Sequence, residues 1–196
     1  MRPQARRPEL FPGCFERVIL DQKYTANPDS KSTIEMAETI LRAAVVTLSD
    51  TRTTVDDASG DVLVELLQTM DAEIVERILI SDDLSEIRET LYVLSERPDI
   101  TLIITTGGTG FSPRDNTPEA TRSVIEREAP GIAEAIRRET ESRTPMAMLS
   151  RAVAGIRNNT LIINFPGSPK AVTECFEVIR PILKHAVNLV SGYTEH

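Results

Sequence analysis

The chain has 196 residues, with 22 Lys+Arg against 30 Asp+Glu, a formal net charge of −8 and 40% hydrophobic residues. That suits a globular domain with an appendage, and the acidic balance excludes a general nucleic-acid binder, whose affinity needs a basic footprint. Aromatic residues are 4% of the chain and Trp is absent, which also excludes a stacking platform for single strands. The core is expected to be aliphatic.

Cys14, Cys175, His185 and His196 are scattered and lack the short spacings of a zinc site. His185 lies in an apolar-periodic stretch, a poor setting for a nucleophilic triad. Any metal is therefore expected to be a hard cation on carboxylates. No run approaches the ~20 apolar residues of a membrane span, and the start MRPQARRPELF lacks a signal peptide's apolar core. No membrane partner is expected, and the cytoplasm is the expected location.

Residues 1–41 read as an N-terminal extension, flexible or draped on a partner. Four of the 12 prolines fall in the first 28 positions, Arg2, Arg6 and Arg7 cluster at the start, and periodicity is absent apart from a short amphipathic run through Ile34, Met36, Ala37, Ile40 and Leu41 that suits a turn or two of helix. From residue 42 to 196 the pattern is that of an α/β domain. RAAVVTL (42–48) reads as a buried parallel strand. Ser59 is placed to cap a helix with Val62, Leu63, Leu66, Leu67 and Met70 on its apolar face. Residues 73–80 return to a strand, 85–97 form a helix stopped by Pro98, and ITLIIT (100–105) forms a third strand. This β-α-β-α-β succession predicts a mostly parallel sheet.

Thr117-Pro118-Glu119 is a strong helix start, with Thr117 as the N-cap and Pro118 at the first helical position. Pro130-Gly131 breaks that helix, and another runs through Ile132 and Ile136. Residues 152–157 and 160–165 form a β-hairpin around Asn158-Asn159, since Asn tolerates positive φ. A last long helix spans about 168–190, with Pro181 expected to kink or divide it.

Open parallel sheets bind ligands at the carboxyl ends of their strands. The segments there are Ser49-Asp50-Thr51-Arg52, Ser81-Asp82-Asp83, the run from Thr106 through Gly107-Gly108-Thr109-Gly110 to Arg114-Asp115, and Pro166-Gly167-Ser168-Pro169-Lys170. Glycines after a strand bring backbone N–H groups close to an anion. The spacing matches neither the dinucleotide fingerprint nor the P-loop. Arg114 adds a phosphate partner, and Asp82 and Asp115 follow neighbouring strands, as two carboxylates of a Mg²⁺ site would. Plainer roles stand beside these. The glycines suit a simple turn, Asp82 or Asp83 a helix cap, Asp115 a turn residue paired with Arg114, Lys170 a surface lysine, and Asp56-Asp57 a solvated loop and cap.

Five stretches together carry a specific resemblance: VVTLSD (45–50), DDASG (56–60), TTGGTGFSPRDNTPEAT (105–121), SRAVAG (150–155) and NFPGSPKAV (164–172). In this order they closely resemble the MogA/MoaB molybdopterin-binding family, over about residues 42–192. The resemblance implies a three-layer α/β fold, MogA-like, with a mostly parallel sheet, helices on both faces and a small β-hairpin. It also implies an ATP- and Mg²⁺-dependent step of molybdenum cofactor synthesis, in which the terminal phosphate of molybdopterin attacks the α-phosphate of ATP. Adenylyl-molybdopterin forms and pyrophosphate leaves.

Asp82 and Asp115 match the family's two essential acids, as catalytic and metal-binding residues. Ser81 stands where the family often has proline. Ser49, Asp50, Gly107, Gly108, Thr109, Gly110, Arg114, Ser150, Gly167, Ser168 and Lys170 make up the expected ligand contacts. A homotrimer and contact with a molybdenum-insertion enzyme are implied by the same resemblance. The competing readings are a non-catalytic molybdopterin carrier of the MoaB type, a CinA-type nucleotide pyrophosphohydrolase and a plain interaction domain. Residues 1–41 hold six basic and six acidic residues, so the remainder carries the whole charge of −8. Such a domain must concentrate its few cations at one edge to bind phosphorylated ligands.

Overall fold

A computed structural model describes residues 40–192. Expectations for the N-terminal extension lie outside the described residues except at its end. There, Ile40 and Leu41 are not helical, and Leu41 is buried in the core.

Six strands form one sheet in the order β2-β1-β3-β6-β5-β4. They are β1 (Arg42–Leu48), β2 (Glu73–Ile80), β3 (Leu102–Thr106), β4 (Arg127–Glu128), β5 (Ala154–Arg157) and β6 (Thr160–Phe165). The first four in spatial order are mutually parallel, and β5 pairs antiparallel with both β6 and β4. The helices are α1 (Ala58–Gln68), α2 (Leu84–Ser95), α3 (Thr117–Val124), α4 (Pro130–Glu141) and α5 (Pro169–Val190), with a short 3₁₀ turn at Pro145–Leu149.

The chain steps from β1 outward to β2, then back across β1 to β3. Crossovers of one hand must then put α1 and α2 on opposite faces, and the packing agrees. Leu63 and Leu67 of α1, Ile136 of α4 and the apolar stripe of α5 pack on Ala43, Val45, Leu102, Ile104, Leu161, Ile163 and Phe165. Ile87, Leu91 and Leu94 of α2, with Ala120 and Val124 of α3, cover Ala44, Val46, Leu48, Ile103 and Ile162 on the other face. Successive side chains of one strand alternate between the two cores, which is why the inner strands β1, β3 and β6 are buried along almost their whole length, whereas the edge strand β2 carries Glu76 and Arg77. Each fully buried Leu, Ile or Phe contributes roughly 1.5–3 kcal/mol.

Several local expectations are corrected. Of the two cap readings for α1, Asp57 holds and Ser59 does not: Asp57 accepts from the Gly60 N–H at 2.9 Å. Far from being solvated, Asp57 is 1% exposed. It also accepts from Thr47 Oγ1 at 2.7 Å, Arg77 Nη2 at 3.1 Å and Ser59 Oγ at 3.2 Å. Asn116 occupies the cap position of α3, while the Thr117 hydroxyl donates to the Gly107 carbonyl at 2.9 Å. Pro130 opens α4 instead of breaking a helix, and the two-residue strand β4 precedes it. The β5–β6 hairpin turns at Asn158 with φ 48° as expected, and β6 pairs with β3 in the main sheet. Helix α5 continues through Pro181 undivided. Pro181 lies on the solvent side, where the carbonyl it orphans can be hydrated, while Ile179, Leu183 and Val187 hold both halves in the core.

Candidate active site

The reversal of strand order between β1 and β3 opens a crevice at their carboxyl ends, the place where such sheets take ligands. The loop after β3 begins with Gly107 at φ 113° and Gly108 at φ 61°, values that disfavour any residue with a Cβ. A Cβ on Gly107 would also stand 2.3 Å from the Leu48 carbonyl oxygen. Both glycines are thus demanded by the turn and by close approach to β1. The Gly107 N–H is spent on the Phe165 carbonyl at 3.1 Å. The amides of Gly108, Thr109 and Gly110 have no protein acceptor among the described residues, as suits an anion cradle. Arg151 fastens the outer side of the loop, donating from Nε to the Gly110 carbonyl at 2.7 Å and from Nη2 to the Asp115 carbonyl at 2.5 Å, and pairing with Glu119.

Beside this loop, the ends of β1 and β2 are tied reciprocally. The Asp50 N–H donates to Asp82 Oδ2 and the Asp82 N–H to Asp50 Oδ1, each at 3.1 Å. Arg114 grips Asp50 with two bonds of 2.8 Å and holds its carboxyl below the ordinary range, helped by the Asp82 N–H. Asp82 is pushed the other way, first by burial and then by the charges of Asp50 and Asp115. Its Oδ1 is buried with no hydrogen-bond partner; a Cβ on Gly108 would meet that oxygen at 3.0 Å. Asp115 Oδ2 accepts from the Ser112 N–H at 2.7 Å and lies over Gly110. The strands they follow are not neighbours, since β1 lies between β2 and β3, but the turn after β3 still leaves the two predicted acids flanking the glycine loop. Arg114 pairs with Asp50, not with Asp115 beside it, and its charge is already compensated. Asp83 is the N-cap of α2, accepting from the Ser85 and Glu86 amides.

A cavity of about 630 Å³ opens on the other side of the loop, within the usual range for small-molecule sites. Ser49, Gly107, Gly108, Thr109, Gly110, Asp115, Ser150, Gly167, Ser168 and Lys170 all line it. Asp50, Asp82 and Arg114 do not; they stand behind or beside the glycine loop. Ser168 caps α5, its Oγ accepting from the Ala171 N–H at 3.2 Å, and Ser49 Oγ accepts the Thr51 and Arg52 amides. The Ser168 hydroxyl proton remains available to a ligand, and that of Ser49 is shared at most with the Thr51 hydroxyl at 3.4 Å. Lys170 is 81% exposed at the rim, 3.9 Å from Glu174. A shallower hollow on the far side of Asp115 is lined by Phe111 and Arg151 among others.

Sequence reasoning gave no site role to five residues of the cavity wall. Arg52 reaches the cavity wall and donates to Ser59 Oγ and to the Gly167 carbonyl, both at 2.6 Å. Arg137 of α4 donates to the Ala152 carbonyl at 2.9 Å. Met146 and Leu149 of the 3₁₀ turn form an apolar rim, and Cys175 lies in the wall with its thiol pushed up to about 12 by burial. Arg52 was visible, two residues beyond Asp50 in a strand-end loop. Arg137 and the 3₁₀ turn gave no sequence signal, because only the packing of α4 against the sheet brings them there. Among the described residues no group of three or more His, Cys, Asp or Glu side chains is gathered as a metal centre, and no helix is long and apolar enough to cross a membrane.

Comparison with known proteins agrees with this architecture. Residues 44–185 match the family described as "Probable molybdopterin binding domain". The chain is 44% identical over 149 residues to the molybdenum cofactor synthesis protein cinnamon of Drosophila melanogaster, covering 74% of this chain but only 25% of that protein. It is 38% identical over 139 residues to a molybdopterin adenylyltransferase of Helicobacter pylori, covering 70% of this chain and 79% of that one. The crystal structure of the molybdopterin biosynthesis enzyme MoaB from Thermus thermophilus superimposes with a TM-score of 0.72 at 42% identity, covering 78% of this chain and 98% of that one. The chain belongs to the molybdopterin-binding-domain family of molybdenum cofactor biosynthesis.

Proposed function

We propose that the chain is a molybdopterin adenylyltransferase, moving the adenylyl group of ATP onto the terminal phosphate of molybdopterin. The observation that carries this reading is the orphaned Oδ1 of Asp82, buried against the glycine loop. A carboxylate oxygen left without a donor costs free energy unless something cationic completes it, and Mg²⁺ takes one or two carboxylates and fills its shell with phosphate oxygens and water. Asp82 and Asp115 are the residues that would hold the ion, which when bound neutralises charge on the transferring phosphate. The similarity to a named adenylyltransferase supports the same reading.

The chain's own residues do the positioning. The free amides of Gly108, Thr109 and Gly110 and the hydroxyls of Thr109, Ser49 and Ser168 receive phosphate oxygens, with Ser150 on the facing wall. An oxygen of the pterin phosphate attacks the α-phosphorus of ATP, the bond to the bridging β-phosphate oxygen breaks, and pyrophosphate leaves with its electron pair. Such transfers need in-line placement and charge stabilisation and no covalent protein intermediate. Arg114 acts indirectly, keeping Asp50 ionised and so holding the Asp50–Asp82 clasp.

The reading is tested by incubating the protein with molybdopterin, ATP and Mg²⁺ and following adenylyl-molybdopterin and pyrophosphate. Absence of product from wild type refutes it, and undiminished turnover by Asp115→Asn refutes the role given to that acid. The likeness to the MoaB structure favours a second reading, a molybdopterin binder without transfer; it predicts pterin binding and no pyrophosphate. Assembly as a homotrimer and cytoplasmic location belong to the proposal, the first checked by light scattering in solution.

A further inference from the structure

Arg114 is neutralised by Asp50 and Lys170 lies near Glu174 at the rim, yet two arginines that line the cavity, Arg52 and Arg137, enter no ion pair among the described residues. In a domain this acidic, a guanidinium without a carboxylate, facing a cavity, is the exception to explain. Arg137 lies on the α4 wall and braces the backbone of the Ser150–Ala152 segment. Arg52 stands at the strand-order reversal, beside the close approach of Gly107 and Gly167, where a Cβ on Gly167 would meet Gly107 Cα at 3.2 Å.

The placement of Arg52 is built from below. Its Nη1 donates to Ser59 Oγ, and Ser59 in turn donates to the buried carboxylate of Asp57. Asp57 is already balanced by Arg77 at 3.1 Å. The serine hydroxyl thus lets a buried acid orient the guanidinium without pairing with it. Two bonds hold the fork of Arg52, to Ser59 and to the Gly167 carbonyl, and three of its five N–H donors remain.

We infer that Arg52 is the phosphate anchor of this cavity, aimed by Ser59, and that the group it takes is a phosphate monoester or polyphosphate terminus. The identity of the two candidate ligands rests on the proposed adenylyl transfer; the anchoring itself does not. Guanidinium-to-phosphate contacts are forked and charge-assisted, so a lysine at the same place restores charge without the fork.

Equilibrium binding of molybdopterin alone and of ATP alone, without turnover, tests this on the full chain at low and physiological salt. Arg52→Gln is expected to weaken one of the two ligands by about 10- to 100-fold and to flatten its salt dependence. Whichever ligand is affected identifies the anchored phosphate. Arg52→Lys is expected to fall between wild type and Arg52→Gln. Arg138→Gln makes the same charge change at a residue 72% exposed and should bind as wild type. Ser59→Ala should weaken the same ligand several-fold and raise its KM with kcat retained.

Wild-type affinity of Arg52→Gln for both ligands overturns the anchor, as does an equal loss in Arg138→Gln. Unchanged affinity in Ser59→Ala overturns its positioning role. Should Arg52→Gln fail to fold, the Arg52→Lys affinities decide, and wild-type values there overturn the forked contact. A wild type that binds both ligands and releases no pyrophosphate defeats the adenylyltransferase reading and leaves the anchor to stand or fall on affinity. A wild type that binds neither overturns both.

Discussion

Replacing Asp82 by Asn is expected to stabilise the ligand-free protein while abolishing its proposed activity. Asp82 Oδ1 is enclosed without a donor, and Asp50 and Asp115 add like charge to the burial that already raises its pKa. A buried polar atom lacking a partner costs about 1–3 kcal/mol. Oδ2 sits at a more exposed position and keeps its bond from the Asp50 N–H at 3.1 Å, a bond that an Asn carbonyl can also accept. The Asn nitrogen that replaces Oδ1 is as unpartnered as the oxygen was, so that cost is not recovered and the gain is that of removing a partly buried charge from beside Asp50 and Asp115, about 1 kcal/mol, or about 2–4 °C in Tm for a domain of this size.

The effect has a pH signature. Because the folded chain holds the Asp82 proton more tightly than the unfolded chain does, the stability associated with that proton is present below the unfolded pKa of about 3.9 and lost as pH rises through the folded one. The advantage of Asp82→Asn should thus be full at pH 7 and vanish near pH 3.5. Thermal unfolding followed by circular dichroism at both values measures it. Addition of Mg²⁺ and ATP should reverse the order at pH 7, raising the Tm of wild type and not of the variant. A variant less stable than wild type at pH 7 without ligand, or one whose advantage persists unchanged at pH 3.5, refutes the reasoning.

Asp57→Asn should have the opposite sign, destabilising the protein by about 2–4 kcal/mol in urea unfolding, since one amide cannot accept all four bonds now converging on that carboxylate. Burial would raise the Asp57 pKa, but those bonds outweigh it and hold it low. Its contribution is therefore present above pH ~4 and lost as the pH falls through the folded pKa, so wild-type and Asp57→Asn stabilities should converge in acid. Gly107→Ala combines a φ of 113° with a clash against the Leu48 carbonyl; a loss of at least about 2 kcal/mol together with ligand binding is expected, and a well-folded variant that binds normally would show the turn to be plastic. Cys175, with its thiol pushed up to about 12, should resist iodoacetamide at pH 8 in the native protein, and peptide mass mapping that finds rapid modification there would contradict its burial.

Much of the frame was legible because local physics and global architecture ask for the same residues. Strands β1 and β2 were bounded to the residue: β1 because a strand covered on both faces is continuously apolar and is cut off sharply by polar loops, and the edge strand β2, whose run carries Glu76 and Arg77, because Val, Ile and Leu flank that pair between polar turns. The turn at Asn158 announced itself by a residue that tolerates positive φ, and the last helix begins where the apolar periodicity placed it. The errors share a cause. Ser59 and Thr117 carry good capping hydroxyls, but tertiary partners claim them: Ser59 serves Asp57 and Arg52, and Thr117 holds the Gly107 carbonyl. Of the two outcomes Pro181 suggested, a kink or a division, the division does not occur, because packing on both sides of it outweighs one lost hydrogen bond.

The sequence by itself determined the layered α/β frame and the set of loops at its carboxyl edge, because hydrophobic periodicity and glycine placement are local properties of the chain. Which of those residues share the cavity was decided only by tertiary structure. Arg114 and Arg52 look interchangeable as cations in a strand-end loop, but the Asp50–Asp82 clasp draws Arg114 away and the Asp57–Ser59 support turns Arg52 inward. Whether a charge is compensated depends on which side chains lie within a few ångströms, and in this chain those neighbours are brought in from other strands and helices.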